Sequence, residues 1–190
     1  MAQRLLLVAA IVAVFLGAAV SLAGATRPAT LEGSGGDDRL RGGPGVEQLR
    51  GHGGDDDLDG GGAPDGLFGN AGDDRLSTGG VGGTAQGGPG EDHLFGGYGL
   101  DRLDGGSGDD EISGAAGDDR LEGGKGDDVL NGGEGDDSLF GESGKDTYRA
   151  GEGDDFVYAV DGVAETIDCG PGDDAAVVDP SDRTIGCEGP

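Results

Sequence analysis

One apolar residue recurs at every ninth position along most of the 190-residue chain. It is leucine in most cases, and isoleucine, valine, alanine or tyrosine in the others. The positions are Leu31, Leu40, Leu49, Leu58, Leu67, Leu76, Ala85, Leu94, Leu103, Ile112, Leu121, Leu130, Leu139, Tyr148 and Val157. A fixed period of this kind is typical of a solenoid, in which short units stack and the recurring apolar residue fills a continuous core.

An acidic residue lies two positions before nearly every one of these apolar residues. These acids are Asp38, Glu47, Asp56, Asp65, Asp74, Asp92, Asp101, Asp110, Asp119, Asp128, Asp137, Asp146 and Asp155. Glycine lies four positions before the apolar residue in nearly every unit between residues 33 and 158, Ala63 and Val81 being the exceptions. Each unit therefore combines one carboxylate with a turn that glycine permits.

Composition alone favours a disordered acidic chain. The chain has 39 acidic and 12 basic residues, a formal net charge of −27, and 47 glycines. Glycine loses much conformational freedom on folding and like charges repel, so both features oppose a compact state. The strict period argues against disorder, because a disordered chain needs no register. A folded form requires cations, and about nine or ten divalent ions would offset about 18 to 20 of the charges. Nucleic acid is not an expected partner.

Residues 1–25 differ in composition from the remainder. Arg4 precedes an apolar run from Leu5 to about Leu22, and residues 23–25 have the small-x-small form of a signal-peptidase site. We interpret 1–25 as a secretory signal peptide and 26–32 as an N-terminal lead-in. We therefore expect a secreted, extracellular chain that has no membrane association after cleavage. An uncleaved anchor is the alternative, since the run approaches the roughly 20 residues that span a bilayer.

With the apolar residue counted as position 8, nine-residue units run from 33–41 to 150–158. Clean copies at 105–113 and 123–131 read GGSGDDEIS and GGKGDDVLN. This pattern resembles the RTX nonapeptide repeat, G-G-x-G-x-D-x-U-x. The resemblance implies an all-β fold, a parallel β-roll (a β-solenoid) with two repeats per coil. It also implies calcium between successive turns, held by position-6 carboxylates and turn carbonyls. Oxygen-only ligation favours Ca²⁺ over Zn²⁺ or Mg²⁺.

In such a roll, each unit stacks on the second unit after it, and the position-6 residues fall into two columns. Column one is Asp38, Asp56, Asp74, Asp92, Asp110, Asp128 and Asp146; column two is Glu47, Asp65, Gly83, Asp101, Asp119, Asp137 and Asp155. The thirteen acids are the predicted calcium ligands. Unit 78–86 is degenerate, because Thr78, Val81 and Gly83 replace two glycines and the acid. Each pair of successive residues in a column defines one interval, which is a possible calcium site. The two intervals on either side of Gly83 are therefore lost as sites, and the longer side chain of Glu47 weakens the interval between Glu47 and Asp65. Roughly nine or ten Ca²⁺ ions are expected.

Three other groups of residues have roles that the pattern leaves open. Aspartate recurs at position 5, either as a secondary ligand or as a solvated turn residue: Asp37, Asp55, Asp73, Asp109, Asp118, Asp127, Asp136 and Asp154. Outward aromatic residues at position 9 form either a partner surface or scattered surface contacts: Phe68, Phe95, Phe140 and Tyr158. His52 and His93 occupy unrelated repeat positions and are interpreted as surface histidines.

Residues 159–190 are predicted to form capping turns. The register slips by one residue after Val157, and Ile167, Ala176 and Ile185 then resume the nine-residue period. Cys169 and Cys187 are separated by two repeat lengths, which is one full coil of the roll. Residues stacked on adjacent parallel strands lie about 4.8 Å apart, within the roughly 4.4–6.8 Å Cα separation of disulfides. We expect a disulfide that stabilises the terminal coil by about 3 kcal/mol.

These observations favour a secreted calcium-binding protein that is not an enzyme and that folds as its repeats bind Ca²⁺. One alternative is a cell-surface adhesive or structural solenoid with an unidentified partner. Another alternative is an accessory module of a secreted hydrolase. It is less favoured, because the repeats begin within about ten residues of the predicted cleavage site and leave no room for a catalytic domain.

Overall fold

The computed structural model describes residues 29–188, which form eighteen short strands. In chain order these are β1 (Ala29–Glu32), β2 (Arg39–Arg41), β3 (Glu47–Gly53), β4 (Asp57–Asp59), β5 (Gly66–Ala71), β6 (Arg75–Gly79), β7 (Gly83–Pro89), β8 (His93–Tyr98), β9 (Asp101–Ser107), β10 (Glu111–Ala116), β11 (Arg120–Lys125), β12 (Val129–Glu134), β13 (Ser138–Ser143), β14 (Thr147–Glu152), β15 (Phe156–Ala159), β16 (Thr166–Asp168), β17 (Ala175–Val178) and β18 (Arg183–Ile185). Odd-numbered strands form one nine-stranded parallel sheet, sheet one, and even-numbered strands form sheet two. The fold is the predicted all-β parallel β-roll with two repeats per coil.

The nine-residue apolar period forms the core between the two sheets. Ile112 pairs in register with Leu94 on one side and Leu130 on the other, each two repeat lengths away along the chain. All three are buried, while positions 7 and 9 of their strands are exposed or half-buried. Successive residues of a strand point to opposite faces, so one central apolar residue in each unit is sufficient to line the interior. These residues form one row on each sheet, and their burial joins every coil to its neighbours.

Glycine in the turns allows successive coils to stack closely. Gly126, at position 4, has a φ of +130°, and a Cβ placed on it would lie 2.6 Å from the carbonyl carbon of Gly108 in the previous coil. A side chain there would therefore push the coils apart. Position 2 also has a positive φ in most units, including four in which the residue is not glycine: His52, Asn70, Ala115 and Glu142. That conformation is unfavourable for L-residues, so the surrounding roll must impose it on them.

The C-terminal coils depart from the spacing of two repeat lengths. Thr147 pairs with Thr166 and Phe156 with Ala175, and each pair spans one residue more than two repeats, which is the slip predicted from the sequence. A tight turn, in which the N–H of Asp182 bonds the carbonyl of Asp179 at 3.1 Å, then shortens the last coil by one residue.

The tight turn changes the register of the last strand. Ile167 pairs with Thr184, whereas Ile185 pairs with Asp168 and is 42% exposed. The prediction that Ile185 resumes the apolar period is therefore wrong. The predicted disulfide joins Cys169 to Cys187 with a Cα separation of 5.1 Å.

The predicted signal peptide at 1–25 lies outside the described residues. Strand β1 begins at Ala29, inside the predicted lead-in, and pairs with β3, so the first coil starts before residue 33. Between residues 29 and 188 there is no helix long and apolar enough to cross a membrane.

Candidate metal centre

The position-6 acids lie at the point where each turn enters its strand, and they form two stacked rows along the roll; all are buried except Asp38, which is half-buried. In ten of the thirteen acids, one carboxylate oxygen accepts a hydrogen bond from the backbone N–H of the position-6 residue one coil earlier. The N–H of Asp110 donates to Oδ1 of Asp128 at 2.8 Å in column one, and the N–H of Asp119 donates to Oδ1 of Asp137 at 2.7 Å in column two. The structure thus brings the predicted acids together in the two predicted columns.

The second carboxylate oxygen of most of these acids is buried and has no hydrogen-bond partner among the described residues. The predicted acids with such an oxygen are Asp56, Asp65, Asp74, Asp92, Asp101, Asp110, Asp119, Asp128, Asp137 and Asp155. Buried polar atoms in native proteins nearly always have a partner, and a buried charge requires one. This repeated exception points to a positively charged ligand.

Nine of these ten unpartnered oxygens belong to units with glycine at position 1, which leaves the space beside the oxygen open; the exception is Asp155, whose unit begins with Ala150. A Cβ placed on Gly60 would lie 2.8 Å from Oδ2 of Asp65 and 2.8 Å from the carbonyl oxygen of Thr78 in the next coil. A Cβ on Gly123 would similarly lie 2.9 Å from the carbonyl oxygen of Gly141. The unpartnered carboxylate oxygen therefore faces carbonyl oxygens of the neighbouring turn, with no side chain between them.

Burial makes these carboxylates reluctant to ionise. Desolvation, followed by repulsion from neighbouring acids, raises the pKa of Asp110, Asp128 and Asp137 to about 7 against hydrogen bonds that lower it. The pKa of Asp56, Asp65, Asp74, Asp92 and Asp101 is raised to about 6, again chiefly by burial. Burial also raises the pKa of Asp119, Asp146 and Asp155. A cation beside the columns would counteract this effect.

The available donors suit a hard cation that accepts several oxygen ligands. No group of three or more His, Cys, Asp or Glu side chains in residues 29–188 is placed to hold a metal. A site in either column must therefore combine carboxylates of successive coils with backbone carbonyls. Calcium accepts six to eight oxygen ligands in flexible geometry, whereas zinc prefers nitrogen and sulfur, and magnesium requires a near-ideal octahedron.

The matching protein family is also described as calcium-binding. A family model described as the RTX calcium-binding nonapeptide repeat, with four copies, matches residues 29–58, 50–85, 86–121, 113–148 and 122–157. Together these ranges span 29–157, more than half of the chain. The chain belongs to the RTX calcium-binding repeat family. No curated protein matches it.

Three predicted acids lack the unpartnered oxygen of the other RTX units. At the first coil, Oδ2 of Asp38 accepts hydrogen bonds from the N–H and hydroxyl of Ser34 at 2.6 and 2.8 Å. Oε2 of Glu47 accepts one from the N–H of Gly43 at 3.2 Å. Near the other end of column one, the Tyr148 hydroxyl lies 3.4 Å from Oδ2 of Asp146. Protein donors thus partly satisfy these acids.

Two acids beyond the RTX repeats were missed by the sequence analysis. Glu165 and Asp174 continue columns one and two into the cap, and each has a buried, unpartnered carboxylate oxygen. Each lies two positions before an apolar residue of the shifted register, Ile167 and Ala176. The rule that identified the other acids finds these two as well when it is applied to the resumed register at Ile167 and Ala176.

Unit 78–86 replaces the acidic site with a neutral one. Thr78 is fully buried, and its hydroxyl oxygen lies 2.7 Å from Oδ1 of Asp101 and 2.5 Å from the carbonyl oxygen of Gly96, so that its single proton is shared between these two acceptors. A Cβ placed on Gly83 would lie 3.0 Å from Cβ of Thr78. The side chain at position 1 therefore occupies space that the position-6 carboxylate takes in other units, and the two substitutions compensate each other.

The position-5 aspartates form a second, exposed set of links between coils. Oδ1 of Asp55 accepts a hydrogen bond from the N–H of Asp73 in the next coil at 3.0 Å, and Oδ1 of Asp109 accepts one from the N–H of Asp127 at 2.8 Å. These bonds run in the opposite direction to those of the position-6 acids. The aspartates at position 5 are thus exposed to solvent, as expected for solvated turn residues, and they also accept hydrogen bonds from backbone N–H groups of the turns.

The outward aromatic residues do not form one surface. Phe140 and Tyr158 cluster on sheet one with Phe156, and the ring centroids of Tyr158 and Phe156 lie 6.4 and 6.1 Å from that of Phe140. The Arg120 guanidinium lies 4.0 Å from the Phe140 ring. Phe68 lies on the same sheet four strands away, and Phe95 lies on sheet two.

The two histidines are exposed, in agreement with their interpretation as surface residues. His52 lies 2.7 Å from Glu32, and His93 lies 3.1 Å from Glu111.

Proposed function

We propose that this protein is a secreted, non-enzymatic calcium-binding β-roll that folds as it binds Ca²⁺. The observation that carries the proposal is that, in both columns, buried carboxylate oxygens have no hydrogen-bond partner within residues 29–188. A chain of net charge −27 that buries acids in this way requires bound cations for a stable fold.

The proposed ligands are the thirteen column acids together with carbonyl oxygens of the turns. When bound, calcium would neutralise the carboxylates and complete their coordination. Ten of these carboxylates already accept a backbone N–H of the previous coil through Oδ1, as Asp128 does, and this orients Oδ2 toward the carbonyls of the next turn. Hydrogen bonds from the backbone therefore hold the proposed calcium-ligating oxygens in place.

Cooperative binding follows from this arrangement. Asp128 belongs to the interval with Asp110 and to the interval with Asp146, because its Oδ1 and its N–H bond both neighbours. Ordering one interval therefore positions a carboxylate of the next, as in other systems in which metal binding and folding are linked. Extracellular calcium concentrations match the roughly 10⁻⁴–10⁻³ M dissociation constants of extracellular modules.

Calcium titration of residues 26–190 tests the proposal. We expect a cooperative transition from coil to β-structure in circular dichroism and the uptake of roughly nine or more ions in calorimetry. Magnesium at the same concentration serves as the control and should produce little change. An identical spectrum in calcium and in chelator would rule out folding coupled to binding.

Mild acid is expected to stabilise the calcium-free fold. The pKa of Asp110, Asp128 and Asp137 is about 7 in the folded state, against a usual value of about 3.8, so the folded state holds these protons more tightly than the unfolded state does. The resulting stabilisation is fully present below about pH 4 and is lost as the pH rises through about 7. In chelator, circular dichroism should therefore show more β-structure at about pH 5 than at about pH 8. The opposite trend would contradict the burial of these acids.

A further inference from the structure

The two acid columns continue past the RTX repeats into the disulfide-linked cap. The family match ends at residue 157 and the nine-residue register shifts by one residue there, so the family match assigns no ligands beyond it. The structure nevertheless places Glu165 one coil after Asp146 and Asp174 one coil after Asp155. We propose that Glu165 and Asp174 each contribute to a further calcium site, one at the end of each column. This inference rests on the proposed calcium-dependent folding of the repeats.

Glu165 reproduces the column geometry with a different side chain. Its Oε1 accepts a hydrogen bond from the N–H of Asp146 at 2.8 Å, the distance found for aspartates within the repeats. The turn before it is one residue longer than in the repeats, and the additional methylene of glutamate accompanies that insertion. The residue is only 4% exposed, and Oε2 has no partner among the described residues. Its second oxygen is thus oriented for a ligand as in the repeats.

Glu165 is hydrogen-bonded to an acidic residue of each adjacent coil, Asp146 and Asp182. Oδ2 of Asp146 lies on one side with the Tyr148 hydroxyl 3.4 Å away. On the other side, the N–H of Glu165 donates to Oδ1 of Asp182 at 3.1 Å, and Oδ2 of Asp182 accepts a bond from the N–H of Asp179 at 2.7 Å. Both oxygens of Asp182 are therefore used by the protein. Glu165 is the last acid of column one with an oxygen available to a cation.

Asp174 ends column two with the same backbone hydrogen bond, although buried Cys169 takes the place of glycine at position 1 of its unit. Its Oδ1 accepts a hydrogen bond from the N–H of Asp155 at 2.9 Å, the residue is 1% exposed, and Oδ2 has no partner among the described residues. Its unit begins at Cys169, and the final strand region is attached to that unit through the disulfide and through a bond from the N–H of Glu188 to the carbonyl of Asp174 at 2.9 Å. Calcium at Asp174 would therefore order the same coil that the disulfide closes.

The test is the double variant Glu165→Gln with Asp174→Asn, which keeps side-chain size and the hydrogen bonds to Asp146 and Asp155 while removing the two charges. We expect calorimetry to count about two fewer calcium ions than in the unmodified chain. In saturating calcium, the Cys169–Cys187 bond of the variant should also be reduced faster by dithiothreitol. The matched control, Glu152→Gln with Asp168→Asn, removes two exposed acids of the same region and should leave both readouts unchanged.

The outcomes separate this inference from the proposed function. If the unmodified chain takes up no calcium, the proposed function fails and the cap sites fail with it. If it takes up calcium and the double variant takes up the same number of ions, the cap inference is overturned while the function stands. Loss of about two ions in the double variant but not in the control supports both.

Discussion

Replacing Asp128 by asparagine is expected to make the calcium-free chain fold more readily while lowering its calcium content by about two ions. Asparagine keeps an oxygen that can accept the N–H of Asp110, and its amide can donate to the turn carbonyls that face Oδ2. It also removes a carboxyl whose pKa burial raises to about 7. The variant therefore relieves a buried charge in chelator, but it deprives the intervals toward Asp110 and Asp146 of a ligand. Circular dichroism in chelator and calorimetry with calcium measure the two effects.

Asp127→Asn is the matched control for this experiment. Asp127 is the exposed neighbour at position 5, and its Oδ1 accepts a hydrogen bond from the N–H of Lys145 at 2.8 Å, a role that asparagine preserves. The variant loses the same charge, so a general reduction in repulsion would appear equally in both proteins. We expect the control to bind the normal number of ions. Equal behaviour of the two variants would mean that overall charge, and not the buried column, determines folding.

The fold could be predicted because the nine-residue period directly specifies burial. One apolar residue per unit, as at Leu121 or Ile112, is compatible with short parallel strands whose central residue points inward, and the coil of two repeats then follows from the RTX resemblance. The columns followed from the same register. Only the structure distinguishes the two oxygens of each acid, because their partners are backbone groups of other coils.

The residues that were missed or misplaced from the sequence lie where the spacing changes. Glu165 requires a ten-residue unit, and Ile185 is displaced by a turn that shortens the final coil. A constant period predicts the register past one insertion but not past an insertion and a later deletion. The protein donors that satisfy Asp38 and Asp146 could not be predicted either, since Ser34 and Tyr148 occupy ordinary repeat positions.

Unit 78–86 shows that a roll of this kind can contain a coil that needs no cation at that point. Thr78 supplies a hydroxyl proton to Asp101 and fills the space of the missing carboxylate. Column two is thereby divided into a short segment ending at Asp65 and a longer one that begins at Asp101. The acids of column one continue past this level through Asp74 and Asp92, so stacking is maintained on that side.

The double variant Thr78→Gly with Gly83→Asp restores the usual glycine at position 1 and aspartate at position 6. It is expected to recover most of the stability that either single variant loses, and to bind up to about two additional calcium ions. In Gly83→Asp alone, the new Cβ meets Cβ of Thr78 at 3.0 Å and the carbonyl oxygen of Asp65 at 2.8 Å. In Thr78→Gly alone, a void forms and Asp101 loses its hydroxyl donor, a change that typically destabilises by about 1–3 kcal/mol. Denaturant unfolding in saturating calcium measures the three variants.

Coupling between the two positions is the decisive quantity. Because Thr78 and Gly83 share one space, the effects of the single substitutions should not sum to that of the double variant. A second pair, Thr84→Gly with Gly66→Asp, combines the same residue changes on the outer face of sheet one, where strands β5 and β7 pair, and serves as the control for composition. That pair should gain no ion. If the effects at Thr78 and Gly83 were additive and no ion were gained, compensation between the two positions would be disproved, and the break in column two would have to arise from the altered turn at Val81.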